Sequence, residues 1–372
     1  MTFEKNKILV NLINLEEDSV GNRRNGRSVS PFAFPGFMIR KLPEVYAVVL
    51  VLVLGMGFLD PLSLSAQELK KITLGLGVAK DFAFRIPAEV AVDRGFWKEE
   101  GLDVEIVAFR GGSEVVVAMA SKSVDFGAIT GVDAGNAITK KIPITAVASI
   151  MPSLATMMVL VSPQSGIQTV QDLKGRSLGV TRHGALTDYL VRTLAKREGW
   201  DPVTGITILA LGGFKEQVAA LITGQSDGFV WSADGGFQLE EEGKAKVLVT
   251  FDKVIPDFNF EVLFAQNEAL QNDPQLIRGF LKGWYRAVRY IQAHKGYTVQ
   301  MMMNKLELPE SVAVKSYEFQ TPLLSTDGTW NLKGWEAVAE SLPELGFSKT
   351  APDPKALYST QFVPVKLDQH EP

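Results

Sequence analysis

Two periods of apolar spacing alternate along the middle of the chain. After Lys71, ITLGLGV is a short continuous apolar run of the kind that forms a buried strand, and IPAEVAVDRGFWKEEG then repeats at helical spacing until Gly101 stops it. DVEIVAF alternates apolar and polar side chains as a second strand. Gly111-Gly112-Ser113 opens the next helix, with Ser113 as its expected cap and Glu114 in its first turn. VVVAMAS gives that helix its body and VDFGAI the third strand. The unit then returns as RSLGVTR at 176–182, a helix from Thr187 to Glu198 stopped by Gly199, the strand GITILAL and a further helix. Strands that alternate with helices predict an α/β fold whose mostly parallel sheets are covered on both faces.

Aligning Gly111 with Gly213 lays GGSEVVVAMASKSVDFG over GFKEQVAALITGQSDGF and sets Asp125 opposite Asp227. Each copy reads as a turn, an amphipathic helix, a polar break and a strand led by that Asp. Two similar α/β lobes account for the echo, although any two βαβ units share this outline. Past residue 272 the strand pattern ends. Asn272-Asp273-Pro274 starts a helix that carries Ile277, Leu281, Trp284, Val288 and Ile291 on one face, and helical text recurs at 298–306, 310–319 and 332–342. Between the last two, TPLLSTDGTWN is a turn-rich loop. This tail has no strands of its own and is expected to pack on one of the two lobes.

The first 66 residues depart from the alternation. An apolar run of 15 residues from Val45 to Leu59 follows Arg40 and Lys41 and precedes Pro61 and Leu64-Ser65-Ala66, the layout of a cleavable signal peptide over 38–66. The run is short of the roughly 20 residues that a spanning helix needs. Because Met38 stands just before the basic pair, residues 1–37 read as an extension upstream of the true start. The remaining 306 residues carry 31 basic and 36 acidic side chains, net −5 against −4 for the whole chain, enough length for two domains and no basic excess for nucleic acid. With no Cys there is no disulfide framework, thiolate metal cluster or cysteine nucleophile, and no thiol on which a lipid anchor could be built. Export as a free periplasmic protein is expected. The three His, His183, His294 and His370, are too scattered for a ligand pair, and no metal or cofactor is expected.

Gly224-Gln225-Ser226-Asp227-Gly228 matches the nucleophile elbow in letters, but a helix precedes it and a strand follows, the reverse of what the elbow requires. Gly75-Leu76-Gly77 lacks the third glycine of a dinucleotide fingerprint, and no nucleotide phosphate loop is present. What remains are helix starts after strands, where ligands of open sheets bind. Gly111-Gly112-Ser113 is one; the other is Thr181 through Thr187, with His183, Gly184 and Ala185 between. Free amides and the helix dipole make each a candidate anion site, and Ser113, Thr181 and Thr187 add hydroxyl donors. Phe82, Phe84, Phe214 and Trp231 lie in or beside these loops as candidate walls, and Trp231 is followed closely by Asp234.

The stretch IPAEVAVDRGFWKEEGLDVEIV, then GG, MASKSVDFGAIT and VQDLKGRSLGVTRHGALTDYLVRTLAKREG, resembles the periplasmic substrate-binding proteins of nitrate, sulfonate and taurine ABC importers. Its most specific marks are Arg94-Gly95-Phe96-Trp97 through Gly101-Leu102, and Asp172-Leu173-Lys174-Gly175 ahead of a strand. The resemblance covers about 71–350. It implies a type II two-lobed binding-protein fold with crossings near Met157–Val161 and Phe260–Ala265: lobe 1 from 67–160 with 262–372, lobe 2 from 161–261. It implies ligand contacts at Phe82, Phe84, Gly112, Ser113, Thr130, Gly131, Thr181, Gly184 and Ala185. The implied function is capture of a small solute, an anion such as a sulfonate, nitrate or taurine, by a non-enzymatic monomer that serves an ABC permease and its ATPase. Two alternatives stay open: a pyrimidine-precursor binder or synthase on the same fold, whose known synthases carry a cysteine-rich motif, and a binding protein that feeds a membrane sensor.

Overall fold

The computed structural model describes residues 68–368, so the expectations for the signal segment and the upstream extension lie outside the described residues. Strand β1 (Lys70–Leu76) leads through helices α1 (Phe82–Asp93) and α2 (Phe96–Glu99) to β2 (Leu102–Ala108), then α3 (Gly112–Ala120), β3 (Phe126–Thr130), α4 (Gly131–Thr139) and β4 (Ile144–Met151). The helix expected over 86–101 is therefore two. Gly95 adopts the left-handed region at φ 74°, which ends α1 and turns the chain into α2. That turn seats Trp97 against the long helix α9 (Pro274–Ala293): its Nε1 donates to the Phe280 carbonyl at 2.8 Å and its ring stacks on Phe280. Gly283 makes room, since a Cβ there would lie 2.2 Å from Trp97 Cδ1. The Arg-Gly-Phe-Trp mark thus has a packing reason.

A second series follows: β5 (Met157–Val161), β6 (Ser177–Val180), α5 (Leu186–Arg197), β7 (Thr207–Ala210), α6 (Phe214–Thr223), β8 (Gly228–Ser232), α7 (Ala233–Glu241) and β9 (Lys246–Thr250). Strand β10 (Glu261–Gln266) then returns to the first sheet. The sheets have the orders β2-β1-β3-β10-β4 and β7-β6-β8-β5-β9. These orders superpose strand for strand, β1 on β6 and β3 on β8. The sheets are mixed rather than parallel throughout, because β10 and β5 each run antiparallel to both neighbours. Each of these strands follows a connection from the other series, 152–156 before β5 and 251–260 before β10, and so enters from the opposite direction.

The internal echo has a matching structural role. Asp125 Oδ2 accepts the Thr73 amide at 2.8 Å, and Asp227 Oδ2 accepts the Ser177 amide at 2.8 Å. Each aspartate ties the start of its strand to the equivalent neighbouring strand, β1 or β6. The Asp172-Leu173-Lys174-Gly175 mark is likewise local: the Asp172 carboxylate accepts the Thr169 and Gln168 amides, and Gly175 supplies a φ of 75° before β6.

Helices α8 (Asn267–Asn272), α9, α10 (Lys295–Leu306), α11 (Glu310–Gln320) and α12 (Leu332–Glu344) complete the chain. Ile277, Leu281, Trp284, Val288 and Ile291 are all buried along α9, as their spacing predicts. The tail does not confine itself to one half. Tyr317 of α11 donates to the Ile291 carbonyl of α9, whereas Lys315 pairs with Glu240 of α7 and Phe319 packs edge-on against Phe237. Alternation along β5 divides the interior. Met157, Val159 and Val161 enter the large core shared with the first sheet, and Met158 and Leu160 enter a smaller one with Phe229, Phe237 and Val312. Among the described residues, no helix is long and apolar enough to cross a membrane.

Candidate functional site

The carboxyl ends of the parallel strands in the two sheets face one another. From the first sheet come Asp81, after β1, Thr130 and Gly131, at the end of β3, and Glu261, which β10 places opposite Thr130. From the second come Thr181, after β6, and Asp234, two residues past β8. Contacts join the two sides. The Phe82 amide bonds the Asp234 carboxylate, the Arg182 charge reaches Asp133 of α4, and Gly184 lies near the Leu345 carbonyl after α12.

The two helix starts offered by the sequence as anion sites each have a carboxylate of the chain beside them. At Gly112 that carboxylate is Asp133: a Cβ on Gly112 would stand 2.2 Å from Asp133 Oδ2, which accepts Thr130 Oγ1 at 2.6 Å. Burial raises the Asp133 pKa against the opposing pull of the Thr130 bonds and Arg182. Gly111, not Ser113, caps α3, and Ser113 is exposed in the first turn without a capping bond. At the second start, Asp188, 4–6% exposed, accepts the Gly184 amide at 2.9 Å and Arg192 Nε at 3.1 Å, with His183 Nδ1 3.8 Å away. Thr187 Oγ1 accepts the Thr181 amide at 3.1 Å and lies 3.0 Å from Thr181 Oγ1, and the Ala185 amide donates to the Arg182 carbonyl. His183 itself is 60% exposed at its side chain.

The aromatic candidates separate. Phe82 and Phe84 stand in the first turn of α1, not in a loop, and both rings are buried in the large core. The Phe82 backbone amide reaches the other half, where it bonds Asp234. Phe214 and Trp231 form a pair with ring centroids 5.2 Å apart, and Gly235 beneath them has no room for a Cβ. This pair belongs to the smaller core. Gly131 is buried with its would-be Cβ 2.3 Å from the Asn259 carbonyl oxygen, so it serves the close passage of the 251–260 connection.

Sequence reasoning missed Asp81, Asp133, Asp188, Glu261 and Gln320. Asp81 caps α1 by accepting the Phe84 amide at 3.0 Å, yet burial, reinforced by the Asp234 charge, raises its pKa to about 7. Asp234, 6% exposed, accepts Gln320 Nε2 at 2.6 Å and is also raised by burial. Glu261, 2% exposed, is raised well above its ordinary value by burial and then by the charges of Asp81 and Asp234. A lone acid in the apolar run FNFEVLFA was the available signal. Among the described residues no group of His, Asp and Glu is placed to hold a metal ion. A separate groove of about 720 Å³ lies between α9 and the C-terminal segment, lined by Arg278, Lys282 and Gln361 among others, and touches none of these residues.

Residues 85–296 match the family described as NMT1/THI5 like. A binding protein of Brucella abortus (strain 2308) is 24% identical over 306 residues, 79% of this chain and 92% of its own length. A 4-amino-5-hydroxymethyl-2-methylpyrimidine phosphate synthase of Legionella pneumophila is 22% identical over 288 residues, 76% of this chain and 89% of its own. Among solved structures, the periplasmic aliphatic sulphonate binding protein SsuA of Escherichia coli superposes with a TM-score of 0.69 at 17% identity, covering 80% of this chain and 94% of that one.

Proposed function

The chain belongs to the NMT1/THI5-like family, and on that premise we propose that it is the extracytoplasmic solute-binding component of an ABC importer. The observation that carries the reading is the convergence of Asp81, Thr130 and Glu261 from the first sheet with Thr181 and Asp234 from the second. A solute bound there touches both halves. It stabilises their closed arrangement only by the difference between its contacts in the closed and open forms. In this reading the lobes are those expected from the sequence, and β5 and β10 mark where the chain passes between them. A permease recognises the closed pair, and a separate ATPase supplies the energy, because this chain has no nucleotide phosphate loop. The segment 38–66 directs export, and the protein acts as a monomer.

The fold and the Brucella relative both support a binder. The match to a pyrimidine phosphate synthase favours a second reading, catalysis on the same fold, but the chain has no cysteine with which to build the cysteine-rich motif expected of those enzymes. Small-angle scattering tests the binder. A solute at 100 times its dissociation constant adds about 2.7 kcal/mol to folding and is found by thermal shift. The radius of gyration is then expected to fall on adding that solute, and an unchanged radius with confirmed binding overturns the closure mechanism.

A further inference from the structure

Three carboxylates meet where the halves face each other, and the nature of their surroundings restricts what can lie between them. Asp81 comes from the loop after β1, Glu261 from the first residue of β10, and Asp234 from the first turn of α7 in the other half. Asp81 feels the negative charge of Asp234, and Glu261 feels the charges of both. Among the described residues, no Lys or Arg forms an ion pair with any of the three, although exposed acids elsewhere have such partners, as Asp273 has Lys70.

Their hydrogen bonds are unequal. Asp81 takes the Phe84 and Ala83 amides, and Asp234 takes Gln320 and the Phe82 amide with the Ser316 hydroxyl also facing it. Glu261 Oε2 is buried and has no hydrogen-bond partner among the described residues. A buried carboxylate oxygen without a donor is costly, and it is tolerated where a proton or a bound donor completes it. A donor that satisfies Glu261 while neutralising Asp81 and Asp234 must be cationic. An oxyanion there would oppose the ionisation of all three acids, whereas a cation favours it. The same two helix starts that would hold an anion already stand against Asp133 and Asp188.

We propose that the cleft takes a small organic cation, a protonated amine or an amidinium, whose N–H groups are accepted by Glu261, Asp234 and Asp81. The inference rests on the solute-binding reading and names its substrate class. A multidentate nitrogen cation fits better than a metal ion, because the three acids are not placed as a metal-ligand group. Gln320 is a positioning residue: it fixes the Asp234 carboxylate from α11 and links the occupied cleft to the C-terminal helices.

The test titrates the full chain by calorimetry and thermal shift with agmatine and putrescine as cations, taurine as a zwitterion, and ethanesulfonate and nitrate as anions. A cation is expected to bind saturably and to release protons, seen as heats that vary with the ionisation enthalpy of the buffer. Glu261→Gln is expected to weaken it about tenfold or more, the loss of a charge-assisted acceptor, with an unchanged circular dichroism spectrum. Asp227→Asn, outside the cleft, serves as the folding control. Binding of ethanesulfonate or nitrate without any cation overturns the inference and leaves the solute-binding reading standing. If no probe binds, the inference is overturned. Mass spectrometry in both ion modes of the small molecules released by denaturing protein from its native host then judges the broader reading, which falls if none is released.

Discussion

Gln320, the last residue of α11, donates its side-chain amide to Asp234 Oδ1 at 2.6 Å and so bonds the C-terminal third to the first turn of α7. Replacement by Ala leaves that oxygen short of a donor in a buried setting. Gln320→Ala is expected to cost about 1–3 kcal/mol in urea unfolding. Gln320→Glu is expected to cost more at pH 7.5 than at pH 5, because it sets a second acid against one whose pKa burial already raises, and the two repel as they ionise. Equal losses at the two pH values would refute that account.

Asp125 and Asp227 make the same bond in the two sheets. Asp125→Ala and Asp227→Ala each remove an acceptor for a strand amide, with an expected cost of about 1–2 kcal/mol, whereas Asn keeps the acceptor and restores most of it. Because the sites lie in different sheets, the double variant is expected to lose the sum to within about 0.5 kcal/mol. Denaturant midpoints of the four single variants and the double variants check both statements.

Stability of the ligand-free protein is expected to decline as pH rises through the range set by Asp81. Its carboxyl moves from an unfolded value of 3.8 to about 7 in the folded state, so between those values the native protein holds a proton that the unfolded chain has released. The stabilisation is complete below the lower value and lost above the upper. Asp234 and Glu261 act in the same direction; the Ser316 hydroxyl, Gln320 and the Phe82 amide face Asp234, and the charges of Asp81 and Asp234 face Glu261. Asp172 and Asp273, lowered by backbone amides and by Lys70 respectively, act oppositely, and only in more acidic solution. Melting temperatures from pH 4 to 8 should fall less steeply for Asp81→Asn than for the wild type. A slope identical in the two proteins would sink the assignment.

Two glycines separate crowding from backbone strain. At Gly131 an added Cβ meets a backbone carbonyl, Asn259 O, at 2.3 Å, and backbone cannot rotate away as a side chain can. Gly131→Ala is expected to cost about 1–3 kcal/mol through overpacking and to disturb the 251–260 connection. At Gly95 nothing lies within 4 Å, and only the left-handed φ of 74° opposes a side chain. Gly95→Ala is expected to cost about 1–2 kcal/mol, and Gly95→Asn less. Thermal unfolding of the three variants orders them.

Short-range chemistry was legible at several element boundaries and faces. The spacing of Ile277, Leu281 and Trp284 marks the buried face of α9, Asp273 caps it by accepting the Leu276 amide, and Gly199 ends α5. The local reading failed where a distant partner intervenes. Ser113 had the composition of a cap, but Gly111 takes that position, and Asp133 packs against the helix start. One short-range signal was also missed: Asp81 caps α1 by accepting the Phe84 amide, so Phe82 and Phe84 stand in a helix and not in a loop.

The sequence by itself determined the α/β alternation, the internal echo led by Asp125 and Asp227, and the buried face of α9, because periodicity, capping and turn chemistry act over a few residues. Only the tertiary structure decided what the cleft contains. Asp81, Asp234 and Glu261 are 153 and 27 residues apart in sequence order, and nothing local ties them. The return of β10 to the first sheet and the reach of α11 to α7 bring them together. Their meeting puts three carboxyl groups where the sequence had suggested an anion site, and burial and repulsion, which act through space rather than along the chain, raise their pKa values.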